Sequence, residues 1–341
     1  MRWLIKLTAA LLVSLLLLEI MVRCLVLSPA REQYVEKIGY GHAPLSEVLR
    51  TYEGYARLRV DNLGLNNPPL PDPLPEHRLL VMGDSFVEAL QVMQEENFES
   101  RLQQAWSDRG GALVYNASFD GSDPSFDPDI VDWLMPYVQP QGLLVCVNAH
   151  DLTEISRWPV KRQDDGSMTG FVHDVQSPGM LKRTVLWVYA HSALVTHLKW
   201  KYEHEVRNWW HALSAGSVAV DPQPVKTVDD FHAGEEGWRW VLQQLSAKGI
   251  PVTVLLMPEI RYSATGAEAV DSERRQRLQA VAEALGIPVL DGNQPLLAEF
   301  AHSGQPGVGF ANTHFGEGHI NARGHAALAS WLADKRQVLL R

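Results

Sequence analysis

The stretch RLLVMGDSF, residues 78–86, decides the fold class of this chain. Its apolar residues 79–82 form a short run that stops at Gly83, which is the pattern of a strand buried in a parallel sheet. Ser85 follows in the turn, where a serine ahead of a helix has its hydroxyl at the sheet edge and its own N–H free to bind an anion. Gly-Asp-Ser also makes an ordinary turn with a helix cap, so this stretch alone does not establish a nucleophile.

The same pattern of apolar run and helix recurs along the chain. Further apolar runs lie at residues 112–115, 142–147, 251–257 and 287–290, and stretches with helical spacing lie at 98–106, 237–248, 271–285 and 324–332. Apolar strands that alternate with helices indicate a parallel sheet covered on both faces. We therefore predict an α/β fold with a doubly wound, flavodoxin-like sheet of about five parallel strands and helices on both faces.

The rest of the chain divides into an N-terminal segment, an arm and an insertion. Residues 31–75 become proline-rich at their end, which predicts an extended arm leading into the domain at 76–341. A segment at about 152–235 breaks the strand–helix rhythm, and we interpret it as a helical insertion that either covers a binding cleft or only packs. Its tryptophans and those after it would stack on sugar rings where exposed and fill the core where buried: Trp200, Trp209, Trp210, Trp238 and Trp240.

Residues 1–30 predict a membrane-spanning helix that anchors the chain. Arg2 and Lys6 precede an apolar run that continues past Glu19 and Arg23 and matches the ~20 residues that a spanning helix needs. Glu19 and Arg23 are one helical turn apart, so they can pair near the membrane interface. A cleaved signal peptide is the alternative. Both interpretations place the rest of the chain on the exported side, periplasmic or extracellular.

The charge and the absent motifs of the sequence argue against nucleic acid and metal ions as partners of the protein. The formal charge is −10 and the pI about 5.7, with no basic stripe, which argues against nucleic acid as a partner. Neither C-x-x-C nor H-E-x-x-H occurs, so we predict no metal site and no cofactor.

Three more polar segments fall where a parallel sheet carries its functional groups. YNASFDG, residues 115–121, and VNAHD, residues 147–151, each follow a predicted strand, so both put donors at the same sheet edge as Ser85. Near the C-terminus, GEGHINARGH, residues 316–325, places His319 on a loop close behind an acid, where a histidine can act as a base. Taken singly, each segment is equally an ordinary turn or cap.

Together, and in this order, these segments resemble the SGNH (GDSL-type) hydrolase family. The resemblance covers roughly residues 60–341. VDNLGL at 60–65 is similar to a lead-in of exported members, LLVMGDSFVEALQV at 79–92 to the nucleophile block, 116–121 to the second block, and HINARGH at 319–325 to the last. The resemblance implies Ser85 as nucleophile, His319 as base, and the N–H groups of Ser85 and Gly121 as oxyanion donors.

The sequence departs from the family pattern at two places. The third block is usually Gly-x-Asn-Asp, with the Asn side chain on the oxyanion; aligning on Asp151 puts His150 in that place, so we favour His150 as third donor and Asn148 second. The orienting acid usually stands three residues before the histidine, where this chain has Gly316. Glu317 is the nearest acid, and a backbone carbonyl holding His319 is the alternative.

The resemblance implies a serine-dependent carboxylic-ester hydrolase that needs no cofactor. For an exported member we expect O-deacetylation of a cell-envelope or exported polysaccharide, with another acylated small molecule as the other substrate class. Two alternatives stay open: an O-acyltransferase with the same Ser85 and His319 site, since only the exclusion of water differs, and a non-catalytic, tethered carbohydrate-binding protein. The departures at His150 and Gly316 motivate the last. The oligomeric state is undetermined.

Overall fold

A computed structural model of the chain describes residues 2–25, 32–35, 38–50, 53–107, 111–119, 121–155, 158–173, 179–202, 228–263 and 266–340. The strands are β1 Glu32–Val35, β2 Gly39–His42, β3 Glu47–Arg50, β4 Ala56–Arg59, β5 His77–Met82, β6 Ala112–Asn116, β7 Gly142–Val147, β8 Val160–Arg162, β9 Met168–Phe171, β10 Val252–Leu256, β11 Ile260–Ser263, β12 Gly266–Ala269 and β13 Val289–Asp291. The helices are α1 Arg2–Leu25, α2 Ser85–Glu88, α3 Phe98–Ser107, α4 Asp127–Val138, α5 Asp151–Glu154, α6 Met180–His191, α7 Ala193–Lys201, α8 Val228–Ala247, α9 Glu273–Ala284, α10 Asn293–Ser303, α11 Ala322–Ala333 and α12 Arg336–Leu339.

Five parallel strands form the central sheet, in the order β13-β10-β7-β5-β6. Counted along the chain and read from the β6 edge, this is the order 2-1-3-4-5 of a flavodoxin-like, doubly wound fold. The predicted fold class is therefore confirmed. The last predicted strand begins two residues later than expected, at Val289, and the helix predicted from residue 237 begins earlier, at Val228.

Side chains of the central strand alternate between two apolar layers. Leu79 and Val81 pack into one layer with α3 and α11, while Leu80 and Met82 pack into the other with α4, α8 and α9. All four are fully buried, as expected for a strand with helices on both faces. This burial on both sides explains why residues 79–82 read as a continuous apolar run and show no alternation.

The strand order reverses between β5 and β7, and ligand sites of such sheets form outside the carboxyl ends of the strands at this point. Ser85 follows β5 and Asn148 follows β7, so both lie at the reversal. The fold itself therefore brings the first and third polar segments together.

The arm carries two antiparallel hairpins, β1–β2 and β3–β4. Val48, Leu58 and Val60 from the second hairpin pack against Leu90, directly behind α2. The arm thus lies against the part of the domain that holds the nucleophile turn.

The insertion contains the β8–β9 hairpin and helices α5, α6 and α7. Trp238 is buried in the core, and the half-buried ring of Trp240 meets Phe171 edge-on at 5.4 Å, so both tryptophans pack inside the protein. The predicted sugar-stacking residues Trp209 and Trp210 lie outside the described residues, and so does the side chain of Trp200.

Helix α1 is long and apolar enough to cross a membrane, because an 18-residue window within its 23-residue candidate span has a mean hydropathy of 2.3. A signal sequence would meet the same criterion. Nearly all of its side chains are exposed.

Candidate active site

Ser85 is the first residue of α2, directly after the central strand. Asp84 caps this helix, because its Oδ1 accepts a hydrogen bond from the backbone N–H of Phe86 at 2.9 Å. As the first helical residue, Ser85 has a backbone N–H with no partner inside the helix. Gly83 makes the tight turn possible, since a Cβ at this position would lie 2.5 Å from Cγ2 of Val87.

Helix α2 has only four residues, and hydrogen bonds from neighbouring segments hold it in place. Asn116, at the end of β6, donates from Nδ2 to the carbonyl of Val87 at 2.6 Å. Asn66, in the arm, donates to the carbonyl of Glu88 at 2.7 Å. The carboxylate of Glu88 in turn contacts Nε2 of His42 in β2 at 2.7 Å. The nucleophile turn is therefore held by both the sheet and the arm.

Ser85, His319 and Glu53 form a hydrogen-bonded triad. The Oγ of Ser85 lies 2.8 Å from Nε2 of His319, and Nδ1 of the same ring lies 2.7 Å from Oε2 of Glu53. A carboxylate only accepts, so Nδ1 carries the proton and Nε2 is left to accept from the serine hydroxyl. The ring of Phe86 packs against the imidazole with centroids 4.5 Å apart. This is the arrangement of a nucleophile, a general base and a group that orients the base.

The carboxylate that contacts His319 is that of Glu53 and not that of Glu317, the acid favoured from the sequence. Glu317 stands between Gly316 and Gly318, both with positive φ, and its side chain is exposed in the cleft beside the site. Its carboxylate hydrogen-bonds to nothing in the described part of the chain. Glu53 is 266 residues away from His319 in sequence and follows no strand of the sheet, so no local motif indicated it.

The Glu53 carboxylate is positioned by contacts between the arm and the loop that carries His319. Its Oε1 also accepts the backbone N–H of His319 at 2.7 Å. Asn312 accepts from the N–H of Gly54 and donates to its carbonyl, each at 2.8 Å, which fixes the turn containing Glu53 to the loop before His319. Gly318 leaves room for the carboxylate, because a Cβ there would lie 2.0 Å from Oε1. We call the paired bonds between Asn312 and Gly54 the arm clasp.

Asp84 is the centre of a second polar network beside the serine. Its Oδ2 accepts from Nδ2 of Asn148 at 2.8 Å and lies 3.7 Å from Nε2 of His150. The same nitrogen is 3.5 Å from Oδ1 of Asp151, whose other oxygen accepts the backbone N–H of Asn148 at 2.8 Å. Asp84 raises the pKa of His150 above its ordinary value, against the opposing effect of burial. Burial raises the pKa of Asp151, and the charge of Asp84 adds to this rise.

Asp84, His150 and Asp151 bring metal-ligating atoms within 4.8 Å of one another. Both carboxylate oxygens of Asp84 already accept hydrogen bonds, from Phe86 and Asn148. A cation would compete with these donors. The cluster is therefore well explained as the network that orients Asn148 and His150 beside Ser85.

The three further residues predicted to bind an oxyanion lie after the strands of the sheet. Asn148 and His150 follow β7, and both reach Asp84, the residue before the nucleophile. Gly121 lies in an exposed turn after β6 with φ 70°; its neighbour Asp120 lies outside the described residues. The roles of these three as donors remain predictions.

A cleft of 630 Å³ opens beside the triad. Phe86, Phe231 and Ile260 give it apolar surface, and its charged and ionisable lining comprises Arg274, His150, Glu259, Glu273 and Glu317. Its volume is within the range of small-molecule sites, about 300–1,000 Å³.

No protein-family model matches the chain, and no curated protein is significantly similar to it. Similar solved structures include TesA, at 14% identity and a TM-score of 0.40 over 77% of this chain and 99% of that one. The psychrotrophic esterase EstA from Pseudoalteromonas sp. is 12% identical, with a TM-score of 0.40 over 76% of this chain and 97% of that one. A structure described as a lipolytic protein of the G-D-S-L family, from Desulfitobacterium hafniense DCB-2, is 9% identical, with a TM-score of 0.35 over 75% and 97%.

The strand order 2-1-3-4-5 agrees with the fold that the resemblance of the motifs to SGNH (GDSL-type) hydrolases implies. TM-scores below 0.5 leave the function to be argued from the side chains of the site.

Replacing Glu53 tests the assignment of the triad acid. We expect Glu53→Gln to lower kcat on an activated ester by about 10²–10⁴-fold, because the amide no longer holds the imidazole in the productive tautomer or stabilises its charged form. Glu317→Gln is the matched control, and it should stay within about twofold of the parent protein. The assignment is wrong if the two variants lose activity equally, or if only Glu317→Gln loses it.

Breaking the arm clasp tests whether Asn312 acts through Glu53. We expect Asn312→Ala to lower kcat by about tenfold with little change in KM, because the carboxylate moves while the substrate cleft stays intact. In a Glu53→Gln background the same change should have almost no further effect, since groups that act as a unit are not additive. Additive losses, measured as kcat with thermal unfolding as a fold check, would make Asn312 a merely structural residue.

Proposed function

We propose that this protein is a serine-dependent carboxylic-ester hydrolase. The observation that supports this most directly is the chain of short contacts from Ser85 Oγ through His319 to Glu53, at 2.8 and 2.7 Å. These three side chains come from the nucleophile turn, the C-terminal loop and the arm. A nucleophile, a base within hydrogen-bond reach and a third group that orients the base are the arrangement used for acyl transfer through a covalent ester.

In the first half of the proposed reaction, Ser85 Oγ attacks the ester carbonyl carbon while Nε2 of His319 takes the hydroxyl proton. The carbonyl electron pair moves onto oxygen, and the N–H groups of Ser85 and Gly121 bind this oxyanion together with Asn148 or His150. A single such donor contributes on the order of 2.7–4 kcal/mol of barrier lowering in a protease. His319 then returns the proton to the leaving alkoxide, and the alcohol departs from an acyl-serine ester.

In the second half, His319 takes a proton from water as the water oxygen attacks the acyl-serine. The tetrahedral intermediate collapses, the carboxylic acid leaves, and Ser85 regains its proton. Glu53 stays ionised throughout and stabilises the imidazolium that forms twice in each cycle. The cycle balances without a metal or an organic cofactor.

Asn148 and His150 are the two candidates for the third oxyanion donor, and only His150 has to be protonated on both ring nitrogens to serve as one. Asn148 gives one amide hydrogen to Asp84 and keeps a second for a ligand. The Nε2 of His150 faces Asp84 and Asp151, so a donor directed at the substrate would be Nδ1 of the doubly protonated ring. The raised pKa of His150 extends this charged form above the ordinary histidine value of about 6.5.

We propose an O-acyl group on an exported polysaccharide or another acylated small molecule as the substrate. The apolar helix α1 supports a location at or beyond the membrane. The partly apolar cleft beside the triad supports a small acyl or sugar group. Two exposed aromatic side chains flank the triad in sequence: Tyr55 lies two residues after Glu53, and Phe315 lies four before His319.

The central experiment measures esterase activity and covalent labelling together. We expect Ser85→Ala to lose at least about 10³-fold in hydrolysis of an acetyl ester. It should also lose labelling by a fluorophosphonate probe, which forms a bond to the activated serine. Ser125→Ala is the matched control for loss of a serine hydroxyl beside a histidine. The Ser125 hydroxyl also lies 2.8 Å from a histidine, His173, but it is buried away from the cleft. Unchanged activity in Ser85→Ala would remove Ser85 as the nucleophile, and failure of the parent protein to label or hydrolyse would favour a non-catalytic binding protein.

The pH dependence of kcat separates the two candidate oxyanion donors. If the charged His150 is the donor, activity declines as pH rises through the raised pKa of that ring, on the alkaline side of about 6.5, and His150→Asn abolishes this decline. If Asn148 is the donor, Asn148→Ala lowers kcat by about 10²–10³-fold and the alkaline decline is absent from the parent protein.

A further inference from the structure

In the C-terminal part of helix α1, Glu19 makes specific polar contacts with the insertion. The carboxylate of Glu19 accepts the hydroxyl of Ser192 at 2.9 Å and the backbone N–H groups of Ala193 and Leu194 at 2.9 and 3.0 Å. It also accepts from Nε of Arg23, one helical turn on, at 2.6 Å. Glu19 therefore serves as a cap for the first turn of α7, supplied from the other end of the sequence.

Arg23 of α1 also contacts the C-terminus of α6, the helix that precedes α7. Arg23 donates from its guanidinium to the carbonyl of His191, the last residue of α6, at 2.6 Å. An anion at a helix N-terminus and a cation at a helix C-terminus both match the helix dipoles. Glu19 and Arg23 thus fix the junction between α6 and α7 onto α1. We call the two helices, residues 180–202, the docked hairpin.

The docked hairpin exposes apolar and aromatic side chains that the domain does not cover. Its largest exposed groups are Met180 (86%), Leu181 (80%), Trp187 (61%), Tyr202 (60%) and Leu198 (57%). Lysine and arginine side chains at 182, 183, 199 and 201 lie among them. Apolar side chains mixed with tryptophan, tyrosine and basic residues are typical of helices that lie in the membrane interface.

We propose that the docked hairpin lies in the exported-side interface of the lipid bilayer, held against α1 as a retained anchor. The depth follows from Glu19, which lies near the exported end of the apolar run and pairs with Arg23 one turn on. A carboxylate at that depth needs partners, and those other than Arg23 belong to the hairpin. The hairpin junction is therefore at the same depth as Glu19. The 24 residues of α1, about 36 Å of helix, exceed the ~30 Å hydrocarbon core and leave room for this contact at one end.

A cleaved signal peptide would not need these contacts. Its removal would take away the acceptor of the Ala193 and Leu194 N–H groups and the donor to the His191 carbonyl, and would leave the exposed apolar face of the hairpin with no neighbouring span. The hairpin also packs on the arm, since α6 contacts β1. The bilayer contact is in this way continuous with the arm that carries the triad acid.

The test uses the full chain in vesicles of phosphatidylcholine and phosphatidylglycerol, with a fluorophore at single cysteines. Cys24→Ser removes the exposed native thiol, and Cys146 is buried. The probe positions are Leu181→Cys on the hairpin, Leu12→Cys in the anchor and Tyr137→Cys, an exposed aromatic position on α4, as the matched control. We expect lipids with a doxyl group to quench the fluorophore at 181 and at 12 by more than about twofold and to leave that at 137 unchanged. Aqueous iodide should give the opposite order.

Each outcome decides the proposal. Quenching at 12 but not at 181 overturns the interfacial hairpin and keeps the anchor, whereas no quenching at 12 overturns both. Glu19→Ala should abolish lipid quenching of the fluorophore at 181 and leave quenching at 12 unchanged. Unchanged quenching at 181 would overturn the claim that Glu19 holds the hairpin at the bilayer. Fluorophosphonate labelling of Ser85 in every variant checks that the domain is folded, and it reports on the esterase proposal independently of where the hairpin lies.

Discussion

The Glu53 carboxylate on the imidazole of His319 is the contact on which the site depends. It joins the arm to the C-terminal loop. The arm clasp at Gly54 fixes the turn that carries Glu53, and the lack of a side chain at Gly318 leaves room for the carboxylate. Without this contact the histidine would have an oriented serine on one side and nothing to set its tautomer on the other. The arm, which contains no strand of the central sheet, is in this sense as much a part of the site as the sheet is.

The sheet was predictable from the sequence, because strands buried on both faces must be apolar throughout. Residues 79–82 and 142–147 show this directly, and Ser85 follows the first of them at the reversal of strand order. His319 was predictable as well, from a loop motif close to the closing helix. Glu53 was not, because its partner lies 266 residues away and a carboxylate before a glycine has no periodicity of its own. Glu317 was chosen because it is near His319 in sequence, but two flanking glycines turn it towards the cleft.

Two acidic groups next to the serine have separate tasks. Glu53 contacts the base, while Asp84 caps the nucleophile helix and holds Asn148, with His150 close by. Because the two carboxylates have different partners, one can stabilise positive charge on the imidazole while the other is occupied by donors from Phe86 and Asn148. The departures from the resembled motifs at His150 and Gly316 are compatible with the proposed esterase, because another acid, Glu53, contacts the imidazole and Asn148 lies beside Asp84.

The position of Glu53 within the arm decides where the chain can be shortened. A water-soluble form beginning after residue 30 removes the apolar helix but retains both arm hairpins and every member of the triad. A form beginning at residue 76, the start expected for the sheet domain from sequence alone, retains all five parallel strands and both Ser85 and His319. Such a form would lack Leu65 from the core as well as the carboxylate on His319, so cleavage between the arm and the sheet, followed by loss of the arm, would inactivate the proposed esterase irreversibly.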